Sequence, residues 1–117
     1  MSGPHQQLAN YAVQATSLTL AYASPPLKNI ISGTPRIGTT VLGTLNACQV
    51  GVWEISPSVT TDIEVDEFFI VLSGAATVAF DDGSPALLLK AGSVGRLSQG
   101  AVTTWTVTET LRKIYLA

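Results

Sequence analysis

Histidine is almost missing from this chain: the only one is His5, close to the first residue. That excludes an imidazole-rich metal centre and a Ser-His-Asp relay within the body of the sequence. Cys48 is the only cysteine, so no intrachain disulfide can form. A lone thiol with no base near it in sequence is expected to be a buried packing residue in a reducing compartment. Charge is scarce too. Charged residues make up 12% of the chain, against about 25% in ordinary globular proteins. The net charge of −2 and the scattered Lys and Arg, adjacent only at Arg112-Lys113, leave no basic footprint. Nucleic acid and anionic membrane are therefore not expected partners. No apolar run approaches the ~18 residues of a membrane span. The stretch from Val13 to Ala23 ends in Ala-Tyr-Ala, but the first basic residue is Lys28, so it lacks the positive start of a signal peptide. The expectation is a soluble, cytoplasmic protein.

What remains is apolar. At 117 residues and 46% hydrophobic content, the chain has the size of one domain with a sizeable core. With so few charges it must hide apolar area inside a barrel or under a partner subunit. The first 25 residues read as an arm: polar and frayed to Gln7, a helical turn or two over Leu8–Ala15, then a short strand over Thr16–Tyr22 stopped by Pro25-Pro26. A loop-rich stretch punctuated by Gly33, Pro35, Gly38 and Gly43 follows. From Ala47 onward, short β-branched runs alternate with turn signals at spacings near ten residues: Gln49–Ile55, Asp62–Leu72, Ala75–Phe80, Ala86–Lys90, Ser93–Leu97, Val102–Thr108 and Leu111–Leu116. Asp81-Asp82-Gly83 is a hairpin signal. This pattern predicts an all-β sandwich or closed barrel occupying residues 26–117.

The run Glu67–Leu72 does not alternate. Phe69 and Val71 face one side of the strand while Phe68, Ile70 and Leu72 face the other, and both faces are apolar. If Glu67 looks into a barrel, the second trio looks out. It then needs a cover, either the segment around Leu18 and Leu20 or a second copy of the chain, and a homodimer is the expectation. Asp62, Glu64 and Asp66 alternate with Ile63 and Val65, the pattern of a half-exposed strand start with a solvated acidic face.

The segment from Gly51 to Tyr115 resembles the cupin superfamily, whose first sequence block has a His-x-His pair, a Glu, six residues and a Gly. Its second block has a Gly-Asp turn, a Pro-x-Gly turn and a His. Glu67 and Gly74 fill the end of the first block, Gly92-Ser93 stands for Gly-Asp, and Ser98-Gln99-Gly100 for Pro-x-Gly. Four pieces are similar to the single-domain group related to ureidoglycine aminohydrolase and the ethanolamine-utilisation cupins. They are Gly51-Val52-Trp53-Glu54, Asp66-Glu67-Phe68, Thr104-Trp105 and the run from Glu109 to Tyr115. The resemblance implies a double-stranded β-helix, a jelly-roll-like barrel. It also shows the departure that matters. The histidine positions fall on Thr61 and Ile63, or on Thr60 and Asp62, and on Thr103. A transition metal wants about three converging ligands, so neither a metal nor another cofactor is expected.

The barrel's pocket is expected among Trp53, Glu67, Thr103, Trp105 and Arg96. Glu67 is either an interior carboxylate perturbed by burial or a solvated strand end. Thr103 and Trp105 share strand parity and face one side. Arg96 turned inward would bind an anionic ligand or neutralise Glu67; turned outward it is an ordinary surface residue. Arg112 and Lys113 place one charge on each face of the last strand. The functional expectation is a small-molecule-binding cupin without catalysis. The alternative is a metal-light enzyme on a small polar metabolite such as a ureide, amino-acid or sugar derivative.

Overall fold

The computed structural model describes residues 9–117. The described chain forms β-strands β1 (Ala21–Ala23), β2 (Ile30–Ser32), β3 (Ile37–Leu45), β4 (Cys48–Ile55), β5 (Ser58–Ile63), β6 (Glu67–Phe80), β7 (Leu87–Lys90), β8 (Val94–Leu97) and β9 (Val102–Leu116), with one 3-10 turn at Leu27–Asn29. Every strand pairing is antiparallel. The architecture is the expected all-β jelly roll.

The two longest strands organise it. β6 and β9 run side by side from Phe68↔Leu116 to Phe80↔Thr103. Along its outer edge β6 meets β8 and then β7, while β9 meets β5 and then β4. The same two strands therefore belong to both faces of the barrel: β1-β3-β4-β9-β6-β8 on one side and β2-β5-β9-β6-β7 on the other. The bend between the faces lies where the register shifts between Val71 and Ala76. Gly74 sits there with φ 91°, and a Cβ on it would run into the backbone of Thr110 and Leu111. Only glycine suits that backbone and that contact. The sequence reading split this ribbon at Ser73-Gly74 and again after Thr108; the chain bends at those places and the strands continue.

Phe69, Val71, Val78, Leu97, Trp105 and Leu111 fill the interior, with Ile55 from β4. Each such side chain contributes roughly 1.5–3 kcal/mol by leaving water. A second, smaller cluster lies on the outer surface: Leu20, Leu42 and Val52, with Val13, Ala15 and Leu18 packed against it. Here the amino-terminal arm is held without regular structure. Arg112 reaches outward from β9 to bind Glu54 (2.9 Å) and the carbonyls of Ala15 and Leu18 (2.9 Å each). Tyr11 donates to the Leu42 carbonyl (2.8 Å).

Several expectations are corrected here. From Ala9 onward the arm has no helix, and only Ala21–Ala23 is strand, because Arg112 takes up carbonyls that regular structure would use; Leu8 and the residues before it lie outside the described residues. The stretch read as loop contains the nine-residue strand β3. Its glycines mark where aromatic side chains lie on the strand: Tyr22 covers Gly38 and Tyr11 covers Gly43. Cys48 is exposed, because it is the first residue of β4 after the tight turn at Asn46-Ala47. Leu18 and Leu20 pack on Leu42 and Val52, so they do not cover Phe68 and Ile70, which are 55% and 38% exposed.

Candidate functional site

A cavity of about 590 Å³ opens inside the barrel. Strand parity decides what lines it. On β5, Ser58 and Thr60 are buried, so Asp62 shares their inward face; it stands directly across from Thr103, as Thr60 does from Trp105. On β9, Leu111, Lys113 and Tyr115 continue the inward face, and Lys113 lies between Trp53 on β4 and Val71 on β6. Glu67 precedes Phe69 by two residues on β6 and points inward with it.

Two carboxylates are clamped at the wall. Lys113 donates from Nζ to Glu67 Oε2 at 2.6 Å, with the two side chains only 5% and 11% exposed. The same ammonium lies 4.6 Å from the Trp53 ring centroid, 4.7 Å from Phe69 and 5.0 Å from Trp105. A desolvated cation over aromatic faces is attracted by roughly 2 kcal/mol, so this lysine is held by a box of rings as well as by its carboxylate. Trp53 and Trp105 meet at 5.7 Å and 57°, which fixes the corner of that box. Glu64 is held differently. Thr103 Oγ1 donates to Glu64 Oε2 at 2.6 Å and the Trp105 indole N–H donates to the same oxygen at 3.1 Å. Asp62 lines the same cavity, and its carboxyl is pushed above its ordinary range, first by burial and then by the Glu64 charge.

The expected site residues fall as follows. Trp53, Glu67 and Trp105 line the cavity. Thr103 is buried behind Glu64 and orients it without lining the space itself. Arg96 does not join them. It stands on the outer face of β8, bonds to Asp66 at 3.3 Å and lies over Phe68 at 5.6 Å. The reason is parity: Leu97 and Gly95 take the inward positions, Gly95 because the Phe69 ring leaves no room for a side chain. The neutralising role considered for Arg96 belongs to Lys113.

Glu64, Asp62 and Lys113 were missed as site residues. The acidic run reads as a solvated face, and Asp62 and Asp66 are exposed as that pattern requires, but Glu64 is only 7% exposed while Ile63 and Val65 face out. The hydrophobic alternation misleads because residues 64–66 lie beyond the end of β5, where the chain hooks inward: Glu64 exchanges backbone hydrogen bonds with Gly100 and Ala101. The usable signal was the phase of Trp105 and Thr103, whose indole and hydroxyl donors need an acceptor. For Lys113 it was the inward parity of Leu111 and Tyr115.

The metal that a cupin fold implies does not fit this site. Of the two pairs that could stand for the first imidazoles, Thr61 with Ile63 and Thr60 with Asp62, only the second shares the inward face. Thr60, Asp62 and Thr103 make no imidazole set, and Glu67 already has an ammonium as its cation. Among the described residues no three His, Cys, Asp or Glu side chains are grouped to hold an ion. Neither is any helix of the described residues long and apolar enough to cross a membrane.

Comparison with known proteins agrees on the fold. A protein of unknown function from Pseudomonas syringae pv. tomato is 27% identical, over 89% of this chain and 46% of its own, with a TM-score of 0.75. The chain thus spans under half the length of that relative. The EutQ protein of Clostridium difficile matches 90% of this chain and 83% of its own at 15% identity and a TM-score of 0.67. A putative ethanolamine utilization protein Q from Salmonella typhimurium matches 86% and 96% at 17% identity and 0.61. At those identities the two EutQ structures speak for the fold alone. No curated protein matches the sequence significantly. Residues 42–115, well over half of the chain and spanning both clamped carboxylates, match the EutQ-like cupin domain, and the protein belongs to that family.

Proposed function

We propose that this protein is a small-molecule-binding cupin whose ligand enters the barrel and rests between Trp53 and Trp105, with Glu67, Glu64 and Asp62 as its polar contacts. One observation carries this reading. A cavity with aromatic walls and a few convergent charged groups is the usual form of a ligand pocket, and here those groups are held in place before any ligand arrives. Lys113 holds Glu67, and Thr103 with Trp105 holds Glu64. Binding to a preorganised site avoids the entropy of ordering it.

The test uses a convenience of the sequence. Trp53 and Trp105 are the only tryptophans, and both line the cavity. Intrinsic fluorescence therefore reports on this space and nowhere else. A library of ureides, amino acids, sugars and aromatic acids should contain compounds that change the fluorescence saturably and raise the melting temperature, and Glu67→Gln should weaken them by about 1–3 kcal/mol. A bound ligand located elsewhere on the molecule would end the proposal.

A second reading, a metal-light enzyme acting on a small polar metabolite such as a ureide, is favoured by one observation. Asp62, inclined to keep its proton, stands beside the well-oriented carboxylate of Glu64. A carboxyl raised above its ordinary range in a cavity is a candidate general acid. Turnover of any library compound, abolished by Asp62→Asn, would establish it over simple binding.

For assembly we propose a homodimer through the outer face of the β4-β9-β6-β8 side. Cross-strand rows there read Arg96, Phe68, Leu116, Val50 and Val94, Ile70, Ile114, Val52. The arm covers only the Val52 end. The single charge in the rows, Arg96, is at the rim and already paired with Asp66. Such a face suits a second copy of itself.

A further inference from the structure

The charges of the cavity do not balance, and the imbalance says what kind of ligand completes it. The chain has only six lysines and arginines. Lys113 is taken by Glu67, Arg112 by Glu54 and Arg96 by Asp66. Arg36 lies over the Tyr22 ring, and Lys28 and Lys90 are exposed with no ion pair among the described residues. Asp62 and Glu64 are the two cavity acids with no ion pair among the described residues, although both line the same space. Glu64 is 7% exposed and accepts both of its hydrogen bonds on Oε2. Oε1 takes none from the described residues. No buried side-chain polar atom among them lacks a partner, so Oε1 keeps accessible surface, and Glu64 lines the cavity. A desolvated carboxylate with one open oxygen beside a second carboxylate is costly unless a cation with N–H donors joins it.

The far walls have a different character. Ile37, Ile55, Pro25 and Pro26 line them together with the Trp53 ring. They offer apolar contact to a carbon skeleton and nothing to a second charge. Lys113 is paired with Glu67 and acts on Asp62 less than burial and the Glu64 charge do. The Asp62–Glu64 side keeps its negative excess, in line with the direction in which Glu64 shifts the Asp62 carboxyl.

We propose that the ligand is a small organic amine or amidine in its protonated form, its N–H donors shared between Asp62 and the open oxygen of Glu64 and its carbon body against Trp53 and Ile37. This rests on the reading of the cavity as a ligand pocket and adds the chemical class. A carboxylate or phosphate ligand is disfavoured by the same two acids.

Three probes with one skeleton test it: 2-phenylethylamine, 2-phenylethanol and 3-phenylpropionate, titrated against the intact protein by tryptophan fluorescence and calorimetry at pH 7. The amine is expected to bind at least tenfold tighter than the alcohol, since hydrogen bonds to charged groups are worth about that much or more, and the carboxylate not to bind measurably. Asp62→Asn should shrink the preference for the amine over the alcohol several-fold. Glu64→Gln should weaken the amine as well, and Asp66→Asn, on the outer surface, should leave all three unchanged. Melting curves of each variant verify folding. Equal or tighter binding of the carboxylate overturns the amine assignment, as does an Asp62→Asn protein that keeps the full preference. In either case, saturable binding lost on Trp53→Ala leaves the pocket itself standing. Failure of all three probes overturns the assignment too, and the pocket reading falls only if the ureide, sugar and amino-acid library is silent as well.

Discussion

Replacing Lys113 by methionine should destabilise the barrel by about 3–5 kcal/mol, the usual cost of leaving one member of a buried ion pair alone. The side chains are 5% and 11% exposed and their charged atoms are 2.6 Å apart, so water has little access to either. Methionine keeps most of the volume of the lysine stem, so no large cavity accompanies the lost charge. A chain of this size holds roughly 6–18 kcal/mol of total stability at about 0.05–0.15 kcal/mol per residue, which makes the change large but survivable. Urea denaturation reads it as a midpoint shift of about 1–5 M at unchanged slope, with slopes of ~1–3 kcal/mol/M. Glu67→Leu alone should cost a similar amount, because it leaves the Lys113 ammonium desolvated over three rings with no counter-charge. The double variant should return to within about 2 kcal/mol of the wild type, since a buried pair replaced by apolar groups is often close to neutral. The cycle should therefore show a coupling of several kcal/mol. Additive effects, or a Lys113→Met cost below about 1 kcal/mol, would refute the view that this pair is buried and mutually dependent.

Four further outcomes are expected. Arg112→Met should release the arm that its guanidinium ties to Glu54 and to the Ala15 and Leu18 carbonyls, seen as faster proteolysis within residues 9–20 and a stability loss of about 3 kcal/mol by urea titration. Asp62 holds its proton more tightly folded than unfolded, so its contribution favours folding below the ordinary value of 3.8 and is lost as pH rises through the raised folded value. Asp62→Asn should accordingly raise the melting temperature at pH 7, with the gain vanishing below about pH 4. Elemental analysis of protein purified without a histidine tag should show no stoichiometric transition metal; about one Zn, Mn, Fe or Ni per chain, lost on Glu67→Ala, would contradict the poor fit of this site to an ion. Light scattering after size exclusion should give a dimer mass, with Phe68→Asp or Ile70→Asp giving the monomer, whereas a concentration-independent monomer in the wild type would refute the proposed face.

The barrel was legible in the sequence because short β-branched runs between glycine-rich turns are a local signal. Strand β4 begins within one residue of its expected start, and Phe69 and Val71 face inward opposite Phe68 and Ile70 as their spacing required. What local signals could not supply was long-range register. Whether Ser73-Gly74 ends a strand or bends one depends on β9 running past it. Whether Gly38 and Gly43 make a loop or a strand depends on Tyr22 and Tyr11 lying over them.

The same division runs through the site. Composition and order alone determined an all-β chain with too few histidines for a conventional metal centre and too few charges to coat its own surface. Side-chain period gave the relative phase within each strand, Glu67 with Phe69 and Thr103 with Trp105, because alternation along a strand is a property of the backbone; which phase faces the interior was left to the closed barrel. Tertiary structure decided which charges meet. Glu67 and Lys113 are 46 residues apart in sequence, as Glu64 and Thr103 are 39. Nothing local distinguishes Lys113 from Arg112, or Glu64 from Asp66. Only closure of the barrel puts one of each inside, where low dielectric makes every pairing matter, and leaves Asp62 and Glu64 lining the cavity with no ion pair among the described residues.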